Sequence, residues 1–360
     1  MKRALLLFFC VAACATTGAA GEGDKDLPSS GVGPFRKLDI DEVKGIAPFV
    51  LDDLPSQYRE PAALQDGDET LLFAVAARDG RDVIVRTRAL DGRTFYGTSA
   101  QFGAKPRVVL EPDAPWEGGA LSGPAVVRAP SGEVLLYYAA AGGIGVARST
   151  DGGVTFRKDA ANPILARLAG LARDASSAWE TTELRGPSVY VLPDGRFRLL
   201  YASGVAIGEA ESADGVRFTR LQPSPVLGPA PAPAPGSLLP NEKPPFDTAS
   251  VADPCAAPRM TPAGRLQIRV LYTGRNEAGA STIGLAARYG TDGPLERQPV
   301  AVYAVGQKEV APAFVERSEG SFLYVEQERR DGSRAYRAIA GAFAPGNVKL
   351  PPPEDFPDGP

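Results

Sequence analysis

The feature that most constrains this chain is an internal repeat. The stretch from Trp179 to Phe218 restates one that begins 63 residues earlier, at Trp116. Both copies carry Trp-Glu, then Gly-Pro, an Asp-Gly or Ser-Gly turn, an apolar run ending in Tyr, an Ile-Gly and a Ser-x-Asp-Gly. Followed outward, the repeat proline recurs at Pro61, Pro124, Pro187, Pro254 and Pro312, at intervals of 63, 63, 67 and 58 residues. A small residue follows each time: Ala62, Ala125, Ser188, Cys255 and Ala313. Within a unit, runs such as Glu133 to Tyr138, Ile144 to Ser149 and Arg196 to Tyr201 read as short strands between Gly, Asp and Pro turns. A single small sheet cannot bury its own apolar face, so the units must stack on one another. They are longer than most solenoid repeats, and radial closure leaves only short, protected edges. The expectation is an all-β protein, a five-bladed β-propeller built from repeats of about 60 residues.

Composition bears mainly on what the chain cannot do. There is no histidine among the 360 residues, which excludes Ser-His-Asp and Cys-His catalysis and most zinc or transition-metal sites. No cofactor or metal is expected, and acid–base chemistry would rest on carboxylates, Tyr or Lys. Lys2 and Arg3 followed by the apolar Ala4 to Ala13 form a short targeting segment. Its end, Val11-Ala12-Ala13-Cys14, resembles a bacterial lipobox, in which the cysteine becomes the lipid-bearing first residue; the alternative is an ordinary signal cut near Ala19 or Ala20. Removing that leader leaves 37 basic against 43 acidic residues, a balance that argues against nucleic acid as a partner. Of the three cysteines only Cys255 would then remain free, so the fold must hold by packing without a disulfide.

In chain order the reading is a lipoprotein signal peptide over 1–13, a flexible tether over 14–34, the propeller over 35–350 and a disordered tail over 351–360. The strand-like Ile46 to Leu51 is expected to pair with the C-terminal end and close the ring. The Pro-rich Gly228 to Pro245 reads as a spacer, or as an overhang on one face of the ring.

Equivalent positions in a propeller form rings. The residue before each repeat proline is Glu60, Gly123, Gly186, Asp253 and Ala311, which places two carboxylates at one end of the central channel. Seven residues before the proline stand Glu117, Glu180 and Asp247, each after an aromatic: Trp116, Trp179 and Phe246. That second ring reads first as structural, the aromatic filling between blades while the acid bonds turn amides, and second as substrate contact. The Ser-x-Asp-Gly turns at Ser149 and Ser212 read as structural.

Taken together, the Trp/Phe-acid pairs, Gly-Pro, Asp-Gly, Ile-Gly-x-Ala-x-Ser-x-Asp-Gly, and then Asn162-Pro163-Ile164-Leu165 or Ser224-Pro225-Val226-Leu227, resemble the five-bladed propeller superfamily of glycoside hydrolases. Arabinanases, β-xylosidases, invertases and levansucrases belong to it. The resemblance covers roughly Leu54 to Phe343. It implies a general base before the blade-one proline, a pKa modulator after the blade-two proline and a general acid two residues before the blade-three proline. Those positions hold Glu60, Ala125 and Arg185, so only the first carries an acid, and Glu183 is the next acid upstream of Arg185. The catalytic candidates are therefore Glu60, Glu183 and Asp253, with Arg59, Arg185 and Asp247 as substrate-binding candidates and an oligo- or polysaccharide as partner.

Two alternatives stand beside this reading. Tyr58-Arg59-Glu60-Pro61-Ala62 and Ser149-Thr150-Asp151-Gly152-Gly153-Val154-Thr155-Phe156 resemble the arginine opening and Asp-box of sialidases, which would make Arg59, Arg185 and Arg275 a carboxylate clamp. The other alternative is a non-enzymatic glycan- or protein-binding scaffold. In each case the protein is expected to be exported and held at the cell envelope only through the lipid on Cys14. The outer membrane is favoured, because Ala15 and Thr16 lack the acidic residue of inner-membrane retention.

Overall fold

The computed structural model describes residues 32–33, 35–38, 49–95, 106–167, 179–180, 183–221, 223–234, 237, 244–306 and 308–345. The expected leader, Cys14 and the tail after 350 lie outside them, as does most of the tether.

Five antiparallel sheets arranged in a ring account for the described body, which is a five-bladed β-propeller. After two short strands β1 (Arg36–Lys37) and β2 (Phe49–Leu51), blade one is β3 (Arg59–Asp66), β4 (Glu69–Arg78), β5 (Arg81–Ala89) and β6 (Arg107–Leu110). Blade two is β7 (Ser122–Arg128), β8 (Val134–Ala140), β9 (Gly143–Ser149), β10 (Arg157–Lys158) and β11 (Leu165–Ala166). Blade three is β12 (Arg185–Val191), β13 (Phe197–Ser203), β14 (Ala206–Ser212) and β15 (Thr219–Arg220). Blade four is β16 (Ser250–Met260), β17 (Leu266–Arg275), β18 (Ser281–Tyr289) and β19 (Glu296–Arg297). Blade five is β20 (Val310–Arg317), β21 (Gly320–Asp331) and β22 (Arg334–Pro345). Both β1 and β2 pair with β22, so strands from the N-terminal side complete the last blade. The innermost strands β3, β7, β12, β16 and β20 pack side by side around the axis.

The core is divided into five, one part between each pair of blades. Leu71 and Phe73 pack against Leu136 and Tyr138 of blade two, while the alternate Leu72 and Ala74 pack against Phe322 and Tyr324 of blade five. The second strand of a blade is therefore buried on both faces, which is why it appears in sequence as an unbroken apolar run rather than an alternating one. Val32, assigned by sequence to the tether, is 1% exposed and packs with Phe35 on blades four and five.

The ring seven residues before the prolines is part of this frame. Glu117 accepts the Tyr138 hydroxyl at 2.8 Å, the amides of Asp113 and Ala114, and the Lys158 ammonium. Glu180 accepts the Tyr201 hydroxyl at 2.9 Å and pairs with Arg220. Asp247 accepts the Tyr272 hydroxyl at 2.9 Å, with Arg297 3.7 Å away. Above each tyrosine lies the preceding aromatic, Trp116, Trp179 or Phe246, stacked at 22° to 30°. Asp247, 1% exposed, thus serves as an internal tie of blade four. Both Ser-x-Asp-Gly turns are held by their own aspartates: Asp151 accepts the amides of Val154 and Thr155, and Asp214 those of Val216 and Arg217. The described part of the Pro-rich stretch lies along blade four, where the Ala230 amide donates to Asp247 O at 3.1 Å and Arg297 bonds the Gly228 carbonyl.

Candidate functional site at the proline ring

Each innermost strand is bulged at the same place. The register slips between Arg59 and Ala62, Ser122 and Ala125, Arg185 and Ser188, Ala252 and Cys255, and Val310 and Ala313. The residue before each proline takes a left-handed backbone, with φ of 48° at Glu60, 49° at Gly123, 50° at Gly186, 47° at Asp253 and 51° at Ala311. Glycine adopts this conformation freely, and aspartate does so more readily than most residues. Glu60 and Ala311 hold it at a cost of about 1 to 2 kcal/mol each. At Gly123 and Gly186 the space is closed as well, since a Cβ would lie 2.9 Å from Pro187 Cδ and 3.1 Å from Asp253 Cα respectively.

The ten residues of these five pairs line a narrow cavity of about 30 Å³ at one end of the channel. Beyond the prolines the channel continues as about 80 Å³ lined by small and apolar residues, among them Ala62, Ala125, Ser188, Cys255 and Phe314. Burial pushes the Cys255 thiol up to about 12, so it stays protonated at neutral pH.

Two carboxylates, Glu60 and Asp253, line the mouth, and a third, Glu326, stands behind Glu60. Glu60 Oε2 accepts the Gly123 amide at 2.5 Å, and the Glu60 amide donates to Glu326 Oε2 at 3.1 Å. Glu326, on β21, stands opposite Val310 in the ladder, next to the Ala311 bulge. Its Oε1 lies 3.3 Å from the Arg337 guanidinium on β22. Blade five, which has only Ala311 in the ring itself, thereby contributes an acid from its second strand. Glu60, Glu326 and Asp253 thus come from the contiguous blades one, five and four, while blades two and three offer glycines.

The electrostatics of the arc follow from that crowding. Loss of water around the Glu60 carboxyl is the largest influence and raises its pKa; the Gly123 amide opposes it, and the charges of Glu326 and Asp253 add to the rise. The outcome is a carboxyl pushed up to about 7. Glu326 is raised too, by burial first, with Arg337 opposing.

The other sequence candidates are placed differently. Arg59 pairs with Asp82 at 2.8 Å, and Arg185 Nη2 donates to the Gly204 carbonyl at 2.8 Å. Arg59, Arg185 and Arg275 all lie at the rim end of their blades, Arg59 and Arg185 opening β3 and β12 and Arg275 closing β17. Glu183 is exposed, just before β12, and is not among the residues that line the cavity. Sequence reading does not reach Glu326, because it follows the proline register and the fifth repeat is the least regular. A signal exists on the second strands: the positions paired two residues before the prolines are Val75, Ala139 and Ala202 in three blades, and polar Thr273 and Glu326 in the other two. Among the described residues no group of three or more potential ligands is arranged to hold a metal ion.

No family model and no curated protein matches this chain. Solved structures of similar fold exist. A structure reported for the GH130 family of mannoside phosphorylases, with glycoside hydrolases that target β-1,2-mannosidic linkages in Candida mannan, is 15% identical, at a TM-score of 0.56 over 86% of this chain and 94% of that one. A glycosyl hydrolase from Bacteroides ovatus is 15% identical, at 0.56 over 87% and 94%. A fructofuranosidase from Schwanniomyces occidentalis, complexed with fructosylnystose, is 12% identical, at 0.55 over 86% of this chain and 60% of that one. These neighbours are glycan-active propellers, and at such identities they show that this chain shares their fold.

Proposed function

We propose that the protein binds and hydrolyses an oligo- or polysaccharide at the proline-ring mouth, with Glu60 as the proton-handling carboxyl and Asp253 as its partner. The observation that carries this reading is Glu60 itself: a glutamate held in a left-handed backbone, with a carboxyl raised to about 7, in a cavity it shares with a second acid. The left-handed backbone is common to all five ring positions, so what sets Glu60 apart is its raised carboxyl beside a second acid. Glycoside hydrolysis needs a carboxylic acid to protonate the leaving oxygen and a carboxylate to activate water or attack, about 5 to 9.5 Å apart. A glutamate that is half protonated near neutral pH suits the acid role, in place of the base role that the resemblance implies for Glu60 and of Glu183 as the acid. The glycan-active neighbours of the same fold support the substrate class. Glu183 and Arg185, exposed at the blade-three rim, are assigned to contacts with more distant sugar units, and Arg59 to the near rim.

A binding-only scaffold is the second reading, and one observation favours it. The Glu60 carboxylate already ties blade one to blade two through the Gly123 amide. The test is a screen of the purified protein against chromogenic arabinofuranosides, xylosides, mannosides, fructosides and sialosides, with Glu60→Gln in parallel. Turnover that falls at least about 100-fold in the variant is the expected result. No turnover by the folded protein, with retained binding on a glycan array, would replace hydrolysis by binding; neither turnover nor binding would reject the glycan site. We further propose that Cys14 carries the lipid and anchors the protein at the outer membrane. Recovery in the detergent phase and with outer membranes is expected, and loss of both in Cys14→Ala; recovery with inner membranes would reject the location.

A further inference from the structure

The acid pair across the ring closure has a consequence for how the site works. Glu326 and Glu60 belong to the last and first blades, so their hydrogen bond spans the seam where the chain closes on itself. Three consecutive bulge amides are held by the preceding blade: Ala311 N–H by Thr273 Oγ1 at 2.9 Å, Glu60 N–H by Glu326 Oε2, and Gly123 N–H by Glu60 Oε2. Thr273 does this as a neutral hydroxyl. Glu326 does it as an acid that is 6% exposed, although a neutral acceptor would satisfy the same amide. A buried carboxyl at this position costs desolvation that a neutral acceptor such as the Thr273 hydroxyl avoids. Its distinguishing effect is electrostatic, on the neighbouring acid.

We propose that Glu326 is a positioning residue of the glycan site: it fixes the Glu60 backbone through its N–H and keeps the Glu60 carboxyl protonatable by placing a second negative charge beside it. The groups that face the pair are Arg59 on β3, Asp253 on β16 and Arg337 on β22, with Asp82 on β5 neutralising Arg59. Arg337 pairs with Glu326, and among the described residues Glu60 forms no ion pair and feels a cation only through the field of Arg59. Two interacting carboxyls of this kind release their protons in two linked steps.

The role in catalysis rests on the glycan reading, but the test does not. Carboxyl carbon-13 NMR of the full chain, with the Glu60 resonance assigned by its absence in Glu60→Gln, follows the titration directly. In the unmutated protein the Glu60 resonance is expected to show two inflections, the second coinciding with that of Glu326. In Glu326→Gln, which retains an acceptor for the Glu60 amide, the Glu60 midpoint is expected to fall by roughly one pH unit. A single inflection in the unmutated protein, or an unchanged midpoint in the variant, would overturn the proposal. The first outcome needs no variant, so the proposal stays open to refutation even if Glu326→Gln does not fold. If the coupling is found and no glycan is bound or cleaved, the control of Glu60 by Glu326 stands and the glycan reading fails; if turnover is found without coupling, the glycan reading stands and the proposal fails.

Discussion

Glu117 and Glu60 are both glutamates within the same propeller, one seven residues and the other one residue before a repeat proline, and their pKa values are shifted in opposite directions. Burial raises the Glu117 carboxyl, but Lys158, the amides of Ala114 and Asp113 and the Tyr138 hydroxyl outweigh it and hold the pKa below the ordinary value. Burial raises Glu60 as well, and there one amide and the more distant Arg59 are set against two neighbouring acids. A carboxylate supplied with donors is a structural tie, and one left short of them is a group that can hold a proton. The outer acids are thus part of the fold, and the acids at the proline ring remain open to chemistry.

The largest effect that bears on this contrast is expected from the outer ring. Glu180→Ala leaves Arg220 and the Tyr201 hydroxyl without their acceptor and is expected to cost on the order of 3 kcal/mol in urea unfolding. A cost under about 1 kcal/mol would erase the distinction between the rings. Glu60→Gln is expected to do the opposite, keeping an acceptor for Gly123 while removing a charge that burial disfavours. Unfolding at pH 8 should show it more stable by roughly 1 kcal/mol. A comparable loss of stability would make Glu60 another tie. Ala311→Gly should produce the smallest change, a gain of about 0.5 kcal/mol, because relief of the left-handed backbone slightly exceeds the added freedom of the unfolded glycine. No gain would mean that the bulge stores less strain than its φ implies.

Much of this organisation is legible in the sequence, for a physical reason. The proline period gives the blade number because every blade repeats the same bulge, and a proline following a left-handed residue marks it in each repeat. The aromatic-acid pairs are legible as structural because they recur with their tyrosines: Tyr138, Tyr201 and Tyr272. The closing contribution of the N-terminal side is also foreseeable from the apolar run ending at Leu51, though β1 at Arg36–Lys37 carries no such pattern. What sequence cannot show is compensation between strands. Ala311 reads as a gap in the acid ring, and Glu326 fills it from a neighbouring strand whose register is visible only once the sheet is formed. Likewise the rim arginines read as a free clamp, whereas Arg59 is neutralised by Asp82, a pairing set by the β4–β5 hairpin.

The pH dependence of unfolding, measured on the unmutated protein and Glu60→Gln together between pH 4.5 and 8, tests the contrast most directly. A carboxyl raised in the folded state binds its proton more tightly there than in the unfolded chain. Its stabilising contribution is therefore complete below the unfolded value of 4.5 and is lost as pH rises through about 7. Glu117, lowered in the fold, contributes above its ordinary value and loses that contribution as pH falls from there through its depressed value, so its slope is confined to the acid end of this interval and is common to both proteins. The expected result is a stability that declines from pH 4.5 to 8 in the unmutated protein and declines less in Glu60→Gln. Superimposable profiles would show that Glu60 titrates as an ordinary carboxylate, and would contradict the account.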